Sequence, residues 1–470
     1  MISTRDEVPH LLLINPPIHD FAAHDLWARP LGLLYLAAIM RDGGYRVTFL
    51  DCLDPFHPAL PSEGLRRVRR GPWGTGKLPK QRIPIPDPLA DVPRPYHRYG
   101  LTPRLFRQEL CGIPRPDAVL VTSGMTYWYP GVVEAVKAAR ETFPGAPVIL
   151  GGIYATLCPL HARRFVAPDY LVEGAGESLV PRLVSEATGG LLPPLPDLAQ
   201  PETLPIPARR LTFIPILTGR GCPNRCAYCA AGLLYAGFTR RSPEAVFDEL
   251  EHWMKWSGAH DVAFYDDALL TDFSGHLGPL LEKVLSRGLP LRFHTPNGLE
   301  ARHVNKESAL LMRRAGFRTV VLSLETADPC RQRILGSKTD NETFCRAVEF
   351  LKEAGFTREE LGVYLMVGLP GQDFREAQES VDFVLKLGLK PLLAEYSPIP
   401  GTALWEDARG ASRYPLEDDP LYHNNSILPC AGPTFGFSLL QSERKRIRNV
   451  CFPDRTHRLH DHINSHDNLS

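Results

Sequence analysis

The sequence predicts an α/β protein with two parallel-sheet domains, and three observations lead to this class. Short apolar strands alternate with amphipathic helices along most of the chain, and glycine or proline follows most strands. A proline-rich segment at 186–210 has little periodicity and is typical of a linker. The chain has 470 residues, which is beyond the roughly 250–300 residues at which one core stops growing. More than one domain is therefore expected.

The first domain, at 1–185, is predicted to be a doubly wound, Rossmann-like parallel sheet. Strands are expected at 11–14, 46–50, 118–121, 148–150 and 170–172, with helices at 30–41 and 131–142. Sheets of this type bind ligands outside the carboxyl ends of their strands. The predicted ligand loops contain four glycines, namely Gly151, Gly152, Gly174 and Gly176.

An insertion at 55–110 interrupts this alternation. It is rich in proline and arginine, and we predict a long loop without regular elements that could cover the cofactor edge as a lid. The segment at 71–78 is close to a phosphate-binding P-loop, but Leu78 stands where Ser or Thr must follow the lysine. No strand precedes this segment, so we expect no nucleotide site here.

Six strand–helix units follow the linker, within a second domain at 211–405. Strands are predicted at 214–218, 261–265, 291–294, 319–324, 362–367 and 392–396. In a barrel of parallel strands, the carboxyl ends form one face, where active sites gather. The candidates just past these ends are Asp266, Asp267, His294, Asn297, Glu325, Val367 and Gly368. A C-terminal extension at 406–470 includes a predicted helix at 438–451. Its histidines at the end of the chain (His457, His460, His462 and His466) are typical of a solvated tail.

Three of the ten cysteines lie within eight residues, spaced C-x3-C-x2-C, at Cys222, Cys226 and Cys229. Three thiolates on one loop suit an iron–sulfur cluster that is left one ligand short. A structural zinc site would need four protein ligands, and the other seven cysteines show no ligand spacing.

This cysteine loop resembles the signature of the radical S-adenosylmethionine (SAM) enzymes. The resemblance implies a partial (β/α)6 barrel and a [4Fe-4S] cluster whose unique iron binds SAM. Reductive cleavage of SAM would then generate a 5′-deoxyadenosyl radical. The sequence does not assign the catalytic residues. It further implies that Tyr228 packs near the SAM adenine, that Glu325 contacts the polar groups of SAM, and that the backbone at Val367 and Gly368 approaches the adenine. Independently, the paired carboxylates Asp266 and Asp267 are predicted to bind SAM or substrate.

The first domain resembles the cobalamin-binding-type domain that precedes many radical SAM cores. The matching residues are the opening Leu-Ile-Asn-Pro-Pro, the segment at 30–37, Gly151-Gly152 and the segment at 174–177. The resemblance implies cobalamin-dependent methylation of an unactivated carbon. One departure is the missing D-x-H-x-x-G motif, whose histidine binds cobalt in some cobalamin proteins. Cobalamin would then bind without a protein histidine on cobalt, or the domain has lost the cofactor.

Composition limits the partners and the location. The chain has 53 basic residues (Lys and Arg) and 53 acidic residues (Asp and Glu). With no net charge, its overall electrostatic field does not favour binding to nucleic acid or to a membrane. No long apolar run or signal pattern occurs, and scattered cysteines suit a reducing cytoplasm. The expected partners are a small-molecule or peptide substrate and an external one-electron reductant of the flavodoxin or ferredoxin type. Open alternatives are a cobalamin-independent rearrangement, cyclisation or thiolation enzyme, a non-enzymatic Fe–S carrier or sensor, and a zinc-bound RNA-modifying protein.

Overall fold

The first domain contains the doubly wound sheet that the sequence predicts. The computed structural model describes residues 8–65, 68, 70–193, 212–433 and 435–452. Five parallel strands, numbered along the chain, lie in the order 2-1-3-4-5. In this order, the succession of strands reverses between the first and third strands, and open α/β sheets bind ligands at such a switch point. The strands are His10–Asn15, Arg46–Asp51, Ala118–Val121, Val148–Leu150 and Tyr170–Leu171. The helices are Leu31–Asp42, Tyr129–Thr142, Ile153–Leu157, Pro159–Phe165 and Val180–Thr188.

Helices cover both faces of this sheet, and the central strand shows why. Every residue of His10–Asn15 is buried. Leu12 and Ile14 join the core cluster that includes the helix Tyr129–Thr142, while Leu11 and Leu13 pack against the helix Leu31–Asp42 on the other face. A continuous apolar run is therefore required here, because neither face of the strand meets water.

The prediction that the insertion lacks regular elements is wrong. Strands Lys80–Ile83 and Tyr96–Tyr99 pair antiparallel, and Tyr96–Tyr99 also pairs with Ile18–Asp20. The helix Pro103–Cys111 follows, with Thr102 accepting a hydrogen bond as its N-cap. The prolines lie between these elements rather than within the strands, so the ladders lose no donor. The partner strand Ile18–Asp20 is remote in sequence, and a local pattern could not reveal this pairing.

The near-P-loop segment does not form a strand–loop–helix unit. Gly76–Lys77 pairs antiparallel with His24–Asp25, and Pro72–Gly74 is a single short 3-10 turn. Arg70 forms an ion pair with Asp25 and holds this loop against the first domain. The segment therefore lacks the strand–loop–helix context that a P-loop requires.

The second domain is an open barrel of six parallel strands in chain order, as the sequence predicts. The first and sixth strands are not paired in the described part of the chain. The strands are Ile214–Ile216, Asp261–Phe264, Arg292–His294, Phe317–Glu325, Leu361–Val367 and Lys390–Glu395, and the short strand Leu299–Glu300 pairs with the fourth. The main helices are Pro243–Ser257, Leu277–Ser286, Lys306–Ala315, Pro329–Ile334, Asn341–Glu353 and Phe374–Lys386. Helices follow the strands along the chain, as expected for six strand–helix units.

Two tryptophans, the buried Trp27 of the first domain and the partly exposed Trp73 of its insertion, contact the barrel residue His294. Trp27 stacks on His294 with 4.7 Å between ring centroids, and Trp73 lies 5.6 Å from the same ring. His294 is fully buried, and its ring nitrogens lie within hydrogen-bond distance of Asp261 and Thr319. The candidate His294 therefore belongs to this packed interior.

The C-terminal extension joins the two domains. It contains the helices Trp405–Ala411 and Phe437–Cys451, the second of which was predicted at 438–451. Asn424 donates a hydrogen bond of 2.8 Å to buried Asp20 in the first domain. The histidine-rich end and most of the predicted linker lie outside the described residues. No helix among the residues that the structure describes is long and apolar enough to cross a membrane.

Candidate active site

The cysteine loop leaves the end of the first barrel strand and is anchored there by Asp266. The Asp266 carboxylate accepts hydrogen bonds from the Thr218 hydroxyl at 2.7 Å, the Gly219 backbone N–H at 2.7 Å and the Thr218 backbone N–H at 3.1 Å. Burial raises the pKa of Asp266 to about 6. Asp266 is predicted to bind cofactor, but its oxygens are occupied by the backbone that leads to Cys222. Asp266 therefore anchors the start of the cysteine loop.

The three thiols have surroundings that suit a cluster. Asn224 donates a hydrogen bond to Cys222 Sγ at 3.4 Å, and the backbone N–H of Ala231 donates to Cys229 Sγ at 3.4 Å. Burial raises the pKa of all three thiols, that of Cys226 to about 11. Since N–H donors and iron both favour the thiolate, this donor set fits an iron–sulfur cluster. Among the described residues, no three His, Cys, Asp or Glu side chains are grouped to hold a single metal ion.

Tyr228 and Glu325 lie together beside the loop, and the structure adds a lysine that the sequence did not reveal. The Tyr228 hydroxyl donates to Glu325 Oε1 at 2.8 Å, and Lys338 Nζ donates to the same oxygen at 2.8 Å. Glu325 adopts a φ of 64°, a conformation that costs about 1–3 kcal/mol for a non-glycine residue and is often found at functional sites. Lys338 follows a short helix and has no motif spacing, so only the fold brings it to Glu325.

Asp267 differs from its neighbour because it faces a cavity. It lines a cavity of about 440 Å³ together with Cys229, Gly219 and Tyr127. Burial raises the pKa of Asp267 to about 6, and no described residue is hydrogen-bonded to its carboxylate. Of the two predicted acids, Asp267 is therefore the one whose carboxylate is open to a ligand.

The other barrel candidates lie outside the cavity walls. Val367 is buried in a cluster with Leu428, and the Gly368 backbone N–H donates to Gln372 at 2.8 Å. Asn297 donates to the Tyr265 carbonyl oxygen at 2.7 Å and holds that strand end. The contacts observed at these three residues are packing and hydrogen-bond contacts, and the approach of the Val367 and Gly368 backbone to the adenine stays a prediction.

A second cavity, of about 430 Å³, lies at the carboxyl ends of the first sheet. Its lining includes all four predicted glycines, Gly151, Gly152, Gly174 and Gly176, and both ends of the switch point, Asn15 and Thr122. Gly152 has a φ of 99°, and a Cβ there would lie 2.4 Å from the Ser123 carbonyl oxygen. Only glycine lets the backbone pass this close, so the loop shape depends on Gly152.

Buried polar atoms in this wall lack protein partners. Tyr35 Oη and Arg29 Nε are buried without a hydrogen bond, and both residues line the cavity. Such groups are costly unless a ligand or water satisfies them. A corrin ring carries amide side chains around its edge, so polar atoms on an otherwise apolar wall fit a cobalamin.

The two cavities adjoin, and Arg220 stands between them. Both are lined by Ile153, Leu217, Arg220, Leu234, Tyr235 and Tyr265. Arg220 forms a buried ion pair with Glu177 of the glycine loop, and its guanidinium lies 4.9 Å from the centre of the Tyr35 ring. An arginine two residues before the first cysteine carried no signal in the sequence, because its partner Glu177 belongs to the other domain. The cysteine loop and the glycine loop thus meet at this ion pair.

Comparison with known proteins agrees with this architecture. Residues 216–384 match the model of the Radical SAM superfamily. The chain is 26% identical to an uncharacterized methyltransferase of Pyrococcus horikoshii over 62% of this chain and 69% of the relative. It is 24% identical to the anaerobic magnesium-protoporphyrin IX monomethyl ester cyclase of Rubrivivax gelatinosus, over 62% of this chain and 58% of the cyclase. The chain thus spans little more than half of that cyclase.

A solved structure has the same fold over most of the chain. The radical SAM methyltransferase TsrM of Kitasatospora setae matches with a TM-score of 0.62 at 18% identity, covering 89% of this chain and 83% of TsrM. A TsrM structure holds cobalamin and a [4Fe-4S] cluster. Residues 216–384 therefore form a radical SAM domain, and a Rossmann-like domain precedes it. A radical SAM domain implies a [4Fe-4S] cluster and SAM, and radical SAM enzymes need an external reductant.

Proposed function

We propose that the protein is a cobalamin-dependent radical SAM methyltransferase that acts on a small-molecule or peptide substrate. The observation that carries this proposal is the pair of adjoining cavities, one on the glycine loops and one on the cysteine loop. When bound, the cluster supplies the electron that cleaves SAM, and the cobalamin supplies the methyl group. A shared wall would let these chemistries meet one substrate. The methyltransferase relatives and the TsrM fold support the proposal.

In this proposal, the residues of the chain bind and orient the groups. Cys222, Cys226 and Cys229 hold the cluster, and Asp267 accepts hydrogen bonds from the SAM ammonium group. Tyr228 and Glu325 contact SAM beside the loop, with Lys338 holding the Glu325 carboxylate in place. Gly151, Gly152, Gly174 and Gly176 let the corrin approach the first sheet closely. Because the chain offers no D-x-H-x-x-G motif, cobalt would lack a protein histidine.

Reconstitution tests the proposal. The full chain would be purified without oxygen, loaded with iron, sulfide and hydroxocobalamin, and examined by visible absorption and metal analysis. We expect iron and sulfide in the ratio of a [4Fe-4S] cluster, about one corrin per chain, and 5′-deoxyadenosine when SAM and a reductant are added. Clusters and SAM cleavage without bound corrin would favour the cobalamin-independent alternative. If SAM were not cleaved, the result would favour a non-enzymatic Fe–S carrier or sensor. Zinc in place of iron would favour a zinc-bound RNA-modifying protein.

The neighbouring aspartates provide a matched pair of variants. Asp267→Asn should weaken SAM binding about tenfold, because a charge-assisted hydrogen bond contributes about 1.5–3 kcal/mol, while iron content and melting temperature stay unchanged. Asp266→Asn should instead lower the free energy of unfolding by about 2 kcal/mol, since it disturbs the bonds to Thr218 and Gly219. Calorimetric titration of SAM and thermal melting measure the two effects. If wild type and Asp267→Asn bound SAM with equal affinity, Asp267 would not be part of the SAM site.

A further inference from the structure

A basic surface lies on the outer side of the cysteine loop. We define the arginine surface as Arg225, Arg302, Arg333 and Ile334. Arg225 and Arg333 are exposed, the Arg302 side chain is 39% exposed, and Ile334 is an exposed apolar residue at 57%. Within the described part of the chain, no acidic side chain forms an ion pair with Arg225 or Arg333, whereas Arg302 pairs with Glu300 at 2.9 Å. The surface therefore presents positive charge around an apolar residue, a combination typical of protein interfaces rather than of a solvated face.

Two short connections join the arginine surface to the predicted cluster ligands. Arg302 donates a hydrogen bond to Asn224 Oδ1, and Asn224 Nδ2 donates to Cys222 Sγ at 3.4 Å. On the other side, exposed Gly336 packs on the loop so closely that a Cβ there would lie 3.3 Å from Cys226 Cα. The Ala227 backbone N–H also donates to the Leu335 carbonyl at 3.1 Å. The surface is thus linked to Cys222 Sγ through Asn224, and it packs against the backbone of Cys226.

The opposite side of the loop is committed to the reaction. Cys229 lines the cavity that also contains Asp267, so the substrate and the ammonium group of SAM lie on that side in the proposed arrangement. A protein that delivers electrons must approach from elsewhere. Of the loop's sides, the one bearing the arginine surface combines exposure, closeness to two thiols and unpaired positive charge.

We infer that the arginine surface is the docking site for the external reductant, an acidic one-electron carrier of the flavodoxin or ferredoxin class. The reduced carrier gives one electron to the cluster and leaves oxidised by one electron, and no atom is transferred. Opposite charges on the two proteins steer the encounter and speed association, whereas the small interface allows rapid release. The inference rests on the radical SAM class and is independent of cobalamin binding.

The test compares a protein reductant with a chemical one, using the full-length chain with its cluster reconstituted. The rate of 5′-deoxyadenosine formation is measured with enzymatically reduced flavodoxin and, separately, with titanium(III) citrate. The double variant Arg225→Glu/Arg333→Glu should slow the flavodoxin-driven rate about tenfold or more, because reversing charges removes electrostatic steering. The titanium-driven rate should stay within about twofold of wild type, since a small reductant needs no docking surface. Arg302 is left intact because it holds Asn224 beside Cys222.

Controls keep the inference falsifiable. Arg182→Glu reverses an exposed charge on the first domain and should change neither rate. Raising the salt concentration should slow the flavodoxin-driven rate of wild type but have little effect on the double variant. The neutral variant Arg225→Gln/Arg333→Gln, with iron content measured, should show a smaller, intermediate loss. An unchanged flavodoxin-driven rate, an equal fall of both rates at full iron content, or a wild type that accepts electrons from titanium but not from flavodoxin would overturn the inference. Failure of the wild type with titanium would instead count against the radical SAM reaction.

Discussion

Replacing Cys226 with alanine is expected to abolish SAM cleavage. Cys226 is the middle residue of the three-cysteine loop, and its thiol is one of only three predicted protein ligands. Loss of residues that merely support a metal ligand costs about 10–100-fold in metal affinity or activity, so loss of a ligand itself should cost at least about 100-fold. Anaerobic iron analysis, visible absorption and assay of 5′-deoxyadenosine measure the effect.

The matched control is Cys111→Ala. Cys111 is exposed on a helix of the first domain and has no predicted ligand role, so its variant should keep full iron content and activity. Corrin binding should also survive in Cys226→Ala, because the glycine loops belong to the other domain. If Cys226→Ala retained a wild-type cluster spectrum and SAM cleavage, the three-cysteine assignment would be wrong.

Replacing Gly152 with alanine should destabilise the first domain and remove corrin binding. The added Cβ would lie 2.4 Å from the Ser123 carbonyl oxygen, and the residue would keep a φ of 99°. Strain at such a φ and overpacking each cost about 1–3 kcal/mol, so we expect a loss of about 3 kcal/mol in the free energy of unfolding. Thermal melting and corrin content per chain measure the two effects.

Gly112→Ala is the control for this variant. Gly112 lies at the end of the helix Pro103–Cys111, with a φ of −81° that any residue adopts. A Cβ at Gly112 would make only ordinary contacts, at 3.5 Å or more. The variant should be neutral or slightly stabilising and should bind corrin like wild type. Normal corrin content in Gly152→Ala would argue that the cavity is not the corrin site, even if the variant melts earlier.

The order of strands and helices was predictable because it depends on local patterns. Apolar runs such as Leu11 to Ile14 are buried on both faces and leave a clear signal. Pattern and turn residues also predicted all six barrel strands within a few residues. The insertion was mispredicted because its strand Tyr96–Tyr99 pairs with Ile18–Asp20, far away in the chain, and such pairing leaves no local signal.

The candidate site was predictable only in part. The sequence alone pointed to two sites, through the spacing of Cys222, Cys226 and Cys229 and through the glycines that follow the strands of the first domain. From the sequence, Asp266 and Asp267 were equivalent candidates. In the structure, Asp266 accepts hydrogen bonds from the backbone and side chain at the start of the cysteine loop, whereas Asp267 lines a cavity. Adjacent residues on an irregular loop can point in opposite directions, and only packing decides which one meets a ligand.

By itself, the sequence determined the two parallel sheets, the cysteine loop and the resemblance of that loop to the radical SAM signature, because repeating local patterns and close ligand spacing encode them. The tertiary structure alone decided that the cysteine loop meets the glycine loop through Arg220 and Glu177, and that Lys338 joins Glu325. It also decided that the arginine surface lies against the outer side of the cysteine loop. Each of these depends on side chains from segments separated along the chain, whose meeting is set by domain packing and not by any neighbouring residue.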